Sequence, residues 1–139
     1  MNRYRVEEQL IEHEGERLKL YQCSAGKATI GIGHNLTDRG ITKEMSRFIF
    51  QCDLQECIVD LQSFVFPCQF ESFPENIQHV LIDMRFQLGF IRFRDFKKMI
   101  AAFKKMDLAE AVIQMEKSKW FLQVPNRANN LIKMVEELI

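Results

Sequence analysis

No stretch of this sequence approaches the roughly 18 apolar residues that cross a bilayer, so no membrane insertion is expected. The opening Met-Asn-Arg-Tyr-Arg-Val-Glu-Glu has basic residues but no apolar core of signal-peptide length behind them. Synthesis in the cytosol is therefore expected. Cysteine is sparse: Cys23, Cys52, Cys57 and Cys68 form no CxxC pair and lack dense spacing. That pattern implies neither a zinc site nor a disulfide framework, and reduced thiols are expected. Net charge is missing too, since 19 basic and 19 acidic side chains cancel, and the whole-molecule field gives no argument for nucleic acid. Internal repeats and low-complexity segments are absent, which excludes a solenoid.

The chain has 139 residues, 47% of them hydrophobic, enough for one compact core and too few for two ordinary domains. A single domain over residues 1–139 is expected. Charge is uneven along it: residues 1–75 hold 8 Lys and Arg against 12 Asp and Glu, and residues 76–139 hold 11 against 7. A polyanion would favour the later half.

Asn2 is placed to cap a first helix carrying Val6, Leu10 and Ile11 and ending near Gly15. Alternation in Leu18-Lys19-Leu20-Tyr21, a turn at Cys23-Ser24-Ala25-Gly26 and the β-rich run Ala28 to Gly33 predict a hairpin. From Thr42 the helical period returns with Met45, Phe48, Ile49 and Cys52, continuing to about Leu61. Phe64 to Phe73 reads as a connector packed on the core. Ser72 to Glu75 and Asp107 to Glu110 read as capping boxes. The helices that follow carry Ile77, Val80, Leu81, Met84 and Leu88 up to Gly89, then Ala111, Val112 and Met115. Phe96, Met99, Ile100 and Phe103 mark another helix, and Pro125 opens a last one with Ala128, Leu131, Ile132 and Val135. The predicted class is α+β, mostly helical, with a small β lobe over about residues 13–40.

A carboxylate at a helix end, followed by a hairpin presenting a polar side chain and a threonine, suits glycosidic bond cleavage. One group must protonate the departing oxygen while another feature places water on the opposite face of the sugar. Glu14, Cys23 and Thr29 are the candidates, although a solvated carboxylate is the commoner use of such a position. His13, Glu14 and His34 lack the i, i+4 histidine spacing of a zinc helix, so no metal is expected, nor any cofactor.

Three ordered blocks carry a resemblance. They are Leu10-Ile11-Glu12-His13-Glu14-Gly15 with Leu18 to Tyr21, Gly26 and Thr29-Ile30-Gly31-Ile32-Gly33-His34; then Leu81 to Gly89; then Lys117 to Ala128. Together the chain resembles the T-even phage lysozymes of glycoside hydrolase family 24. The resemblance implies a lysozyme-like fold with a cleft between lobes, and a muramidase acting on bacterial peptidoglycan by inversion. It implies Glu14 as general acid, Cys23 in the place usually held by aspartate, and Thr29 as the hydroxyl that positions water. Arg127 matches an arginine that pairs with the catalytic glutamate, and His34 with Asp53 a structural ion pair. Phe86 and Gln114 fall at sugar contacts, and Gln87 with Trp120 at a supporting hydrogen-bonded pair.

Three departures from the family pattern stand out. Cys23 replaces a carboxylate that is charged at neutral pH, whereas an ordinary thiol, with pKa about 8.5, is mostly neutral there. Its open roles are hydrogen-bond partner to water, base as thiolate, or nucleophile. Ala25 replaces an acidic cleft residue, and Asn35 a leucine, which alters sugar contacts on the hairpin side. Only Asp38-Arg39 separates Thr37 from Gly40, so the extra strand and short helix of longer enzymes are expected to be missing, as is chain beyond Ile139. Arg92, Arg94, Lys97, Lys98, Lys104 and Lys105 form a basic run, read as a solvated helix face or a surface attracting anionic peptidoglycan.

A monomer is expected, made in the host cytoplasm and, without an export signal, released to the periplasmic wall through a holin-type pore. Two rival readings are a catalytically weakened lysozyme-fold wall-binding module of a phage particle and a cytosolic helical adaptor.

Overall fold

The computed structural model describes residues 1–139. The chain divides into two compact units, Met1–Phe48 and Ile49–Ile139, with the division falling inside the long helix α3 (Lys43–Val59). The β lobe expected over residues 13–40 thus shares its unit with the first helix and the start of α3. No helix is long and apolar enough to cross a membrane.

In the first unit, α1 (Arg3–Glu14) starts where the Asn2 side chain accepts the Arg5 amide, as the sequence predicts. Strand β1 (Arg17–Gln22) pairs antiparallel with β2 (Ala28–Gly31), Tyr21 opposite Thr29. The structure then corrects the expectation of a bare hairpin. A two-residue strand β3 (His34–Asn35) adds to β2, and a one-turn helix α2 (Leu36–Arg39) follows. Side chains make this compact form possible. Asn35 caps α2 by accepting the Asp38 amide at 3.0 Å, Thr37 Oγ1 accepts the Ala28 amide at 2.8 Å, and Lys27 pairs with Asp38 at 3.2 Å.

Thr29 is the one buried residue of this unit, 3% exposed. Val6, Leu10 and Ile11, spaced for a buried stripe, stay exposed, as do Met45 and Phe48. A unit of this size has too little opposing surface to enclose such a stripe.

The second unit holds the hydrophobic core. Helix α3 runs into a wide π-helical turn at Asp60–Val65, and a 3-10 turn at Phe70–Ser72 completes the predicted connector. Phe66, Phe70 and Phe73 are buried there, with Phe66 and Phe73 edge to face at 5.2 Å. The Ser72 capping box does not form. Pro74 occupies the cap of α4 (Glu75–Leu88), and Ser72 Oγ donates to the Gln69 carbonyl at 2.6 Å. Extended backbone at Phe73 and Pro74 carries Ser72 away from the helix start.

Gly89, with φ +80°, ends α4; the short α5 (Phe90–Arg94) and α6 (Lys97–Lys104) follow. Asp107 caps α7 (Leu108–Glu116) by accepting the Glu110 amide, as predicted. Ser118 caps the short α8 (Lys119–Gln123), and Pro125 opens α9 (Pro125–Glu136). Every core position predicted on α4, α7 and α9 is buried, as are Met99, Ile100 and Phe103 on α6, whereas Phe96 falls at the α6 cap and is only partly buried. Each large apolar side chain so enclosed contributes about 1.5–3 kcal/mol.

Candidate active site

Glu14 is the last residue of α1, and the Gly15 amide closes the helix on the Ile11 carbonyl at 2.8 Å. The Glu14 side chain lies against Gly33, in the turn between β2 and β3. A Cβ at Gly33 would come within 2.7 Å of Glu14 Oε2, and the backbone there has φ +62°. The positive φ favours glycine at this point, and a Cβ there would displace the end of the Glu14 side chain, so the absent side chain makes room for the carboxylate beside the hairpin.

Cys23 begins the turn that joins β1 to β2. Its amide donates to the Lys27 carbonyl at 2.9 Å, and its own carbonyl accepts the Gly26 amide at 2.8 Å. Thr29 sits at the centre of β2 and donates Oγ1–H to the Lys27 carbonyl at 2.9 Å. With its one proton used there, the Thr29 oxygen is left as an acceptor. The first unit therefore contains all three candidates from the sequence. Asn35 has a local task, its amide being engaged with Asp38 through both oxygen and nitrogen. His34 Nε2 lies 2.7 Å from the Gly40 carbonyl.

The second unit holds the other candidates. Trp120, buried, donates Nε1–H to Gln87 Oε1 at 2.6 Å. Trp120 lines a groove of about 610 Å³ that also meets Gln114, Phe96, Leu88 and Lys97. Gln114 donates to Glu110 at 2.6 Å. Phe86 is partly exposed on α4, its ring 5.9 Å from that of Phe50. Asp53 is exposed on α3. Arg127 donates through Nε to Asp83 Oδ1 at 2.6 Å, a partner 44 residues away that no sequence pattern signals. Glu14 and Arg127 belong to different units. No cluster of three or more His, Cys, Asp or Glu side chains is arranged to hold a metal ion.

A family model described as phage lysozyme matches residues 11–133, a span that includes Glu14, Cys23, Thr29, the Gln87–Trp120 pair and Arg127. The chain belongs to the phage lysozyme family. Two proteins of Dictyostelium discoideum are similar along nearly the whole length: "Probable T4-type lysozyme 2" at 26% identity and "Probable T4-type lysozyme 1" at 28%. Each match covers 94% of this chain and 93% of the relative. As a phage-type lysozyme the protein is a glycosidase, and its α+β fold, mostly helical with a small antiparallel sheet, agrees with the class expected from sequence.

The surroundings of the Cys23 thiol in this lysozyme are distinctive. The Lys27 amide first, then the Ala25 amide, holds its pKa below the ordinary value, and the residue's own amide adds to the lowering against the opposing effect of desolvation. Hydrogen bonds directed at the sulfur favour the thiolate. Cys57 is the opposite case, because burial pushes its thiol up, partly offset by the Arg85 guanidinium.

Iodoacetamide labelling read by mass spectrometry should separate the two. Cys23 is expected to become reactive at lower pH than the thiol of a short unstructured cysteine peptide, and Cys57 to stay unmodified in the folded chain. A Cys23 midpoint at or above that of the peptide would contradict this assignment. The sign for stability also differs. As pH rises through the ordinary thiol range, an unfolded Cys57 ionises before the folded one does, so it draws stability away; Cys23 adds stability over that range and loses it as pH falls through its lowered folded value.

The sequence alone missed two participants, Gly33 and Asp83. Gly33 falls within the Gly-Ile-Gly-His block, but its close approach to Glu14 depends on how α1 enters the sheet.

Proposed function

We propose that the protein is a muramidase that cleaves the β-1,4 bond between N-acetylmuramic acid and N-acetylglucosamine in bacterial peptidoglycan, with inversion and with Glu14 as the general acid. The observation that carries this reading is the placement of the Glu14 carboxylate against Gly33, in the same unit as Cys23 and Thr29.

Glu14 gives its proton to the glycosidic oxygen as the bond to the anomeric carbon breaks, and a water attacks that carbon from the opposite face. Thr29 Oγ1, left as an acceptor, takes a hydrogen bond from the water, and Cys23 stands in the place the family fills with aspartate. A lowered pKa populates the Cys23 thiolate, the form that accepts the proton the water loses and becomes the thiol. Arg127 is assigned to the Glu14 carboxylate, with Asp83 fixing its Nε. His34 and Asp53 are assigned to a structural ion pair, and Phe86, Gln114 and Asn35 to sugar contacts. No cofactor takes part in this scheme.

The proposal extends to setting. The protein works as a monomer, is made in the cytoplasm and reaches the periplasmic wall through a helper pore of the holin kind. The relatives come from a eukaryote, so family membership by itself entails neither a phage particle nor host lysis. Endolysin, antibacterial defence and cell lysis are uses open to one and the same reaction.

Clearing of purified peptidoglycan by Cys23→Ala and Cys23→Asp tests the water half of the mechanism. Cys23→Asp should preserve or raise activity, and Cys23→Ala should lower it about 100-fold, the low end of what a positioned base contributes. Loss of activity in Cys23→Asp would contradict the water-holding role and point to sulfur chemistry.

A further inference from the structure

We propose that the face formed by the π-helical turn, α5 and α6 is a docking surface for a bilayer that exposes anionic phospholipid headgroups, on which the protein lies without inserting a helix. This surface is built wholly from the second unit and takes no part in the hydrolytic scheme.

Residues 92–105 carry six cations, Arg92, Arg94, Lys97, Lys98, Lys104 and Lys105, against the single acid Asp95. None of the six forms an ion pair within the protein, whose salt bridges all lie elsewhere. The charge is therefore uncompensated locally even though the whole chain is neutral.

What distinguishes this face from an ordinary solvated helix is the apolar surface set among its cations. The wide π-helical turn brings Phe64 outward, 68% exposed, while Val65 and Phe66 beside it are buried. The Phe64 ring lies 6.1 Å from Phe90, and the Arg94 guanidinium lies 5.1 Å over the same Phe90 ring. Cation–π contact of this kind holds an arginine beside aromatic surface. Next to it a hollow of about 280 Å³ is floored by Phe64, Val65, Ile100 and Ala101 and edged by Arg94, Lys97 and Lys104, with no carboxylate in its lining. Ile91, three residues before Arg94 on α5, is 77% exposed.

An exposed aromatic ring and an apolar hollow encircled by cations match the boundary between headgroups and acyl chains, where aromatic rings sit and lysines extend their charge toward phosphate. A nucleic acid backbone would match the cations but leave Phe64 and Ile91 without apolar partners. Each cation near an anionic bilayer contributes about fivefold in affinity, and the attraction is confined to about 8–10 Å at ordinary ionic strength.

The test is co-sedimentation of the full chain with vesicles of equimolar phosphatidylglycerol and phosphatidylcholine, beside vesicles of phosphatidylcholine alone. Binding is expected to the anionic vesicles, to weaken as salt rises, and to fall roughly 25-fold in Arg94→Gln/Lys104→Gln. Phe64→Ser should weaken it further at constant charge, and both variants should keep the parent's unfolding transition. Equal binding to both vesicles, or a double variant that binds like the parent, would overturn the proposal. So would duplex DNA bound as tightly as the anionic vesicles, or displacement by inorganic phosphate beyond the effect of chloride at equal ionic strength. The former would make the face a nucleic acid surface, and the latter a small-anion site.

Discussion

Glu14→Gln should reduce the rate of peptidoglycan clearing by between about 100- and 10,000-fold, the contribution of a positioned general acid, while leaving the unfolding transition where it was. Glutamine keeps the shape and both hydrogen-bonding ends of the side chain but has no acidic proton to give to the departing sugar oxygen. Because Glu14 is exposed at the end of α1, the exchange removes no buried contact. Gly33→Ala reaches the same group from its neighbour. Its Cβ would stand 2.7 Å from Glu14 Oε2 on a backbone with φ +62°, so the carboxylate must move or the turn must open. Misplacement by about 1 Å is enough to cost on the order of 100-fold in rate. A Glu14→Gln protein that clears the wall as fast as an active parent would end the assignment of Glu14 as the general acid.

The second large effect concerns stability. Arg85 is 8% exposed on α4 and meets Asp60 of the π-helical turn through both Nε, at 2.8 Å, and Nη2, at 2.6 Å. Glu56 lies farther off at 3.7 Å and is largely solvated. Removing one partner leaves the other charge buried without compensation, which costs about 3–5 kcal/mol. Arg85→Met and Asp60→Leu should each show that loss in urea unfolding. The double variant should recover most of it, since neither charge then remains to be solvated. Single variants within about 1 kcal/mol of the parent, the ordinary value of an exposed pair, would show that the bridge is more hydrated than its burial indicates.

How much of this was legible in the sequence differs between the two units. On α4, α6, α7 and α9 the helical spacing of apolar residues named the core correctly, because each stripe meets another helix of the same unit. The same spacing at Val6, Leu10 and Ile11 named a face that stays exposed. Periodicity reports which side of a helix is apolar; it does not report whether an opposing surface exists.

β3 and α2 were expected to be missing because two paired residues and a single turn are too short to show a period. They depend on the side chains of Asn35, Thr37 and Asp38 rather than on apolar patterning. Arg85 did leave a signal. It falls on the same stripe as Leu81, Met84 and Leu88, where a charge needs a buried partner, but which acid supplied it could not be read.

The candidate site divides in a similar way. Spacing alone left Glu14 an ordinary carboxylate at a helix end, and the resemblance raised it to a catalytic candidate. The Trp120–Gln87 hydrogen bond, also drawn from resemblance, is present at 2.6 Å. The Arg127–Asp83 contact spans 44 residues and depends on the packing of α4 with α9, which local pattern cannot reveal.

The most direct test of the account is the identity of the ends the enzyme creates. Purified peptidoglycan digested by the parent and reduced with borohydride should yield reduced N-acetylmuramic acid, with none of it above background in Glu14→Gln. Reduced N-acetylglucosamine in its place, or new ends formed equally by parent and Glu14→Gln, would contradict a muramidase acting through Glu14.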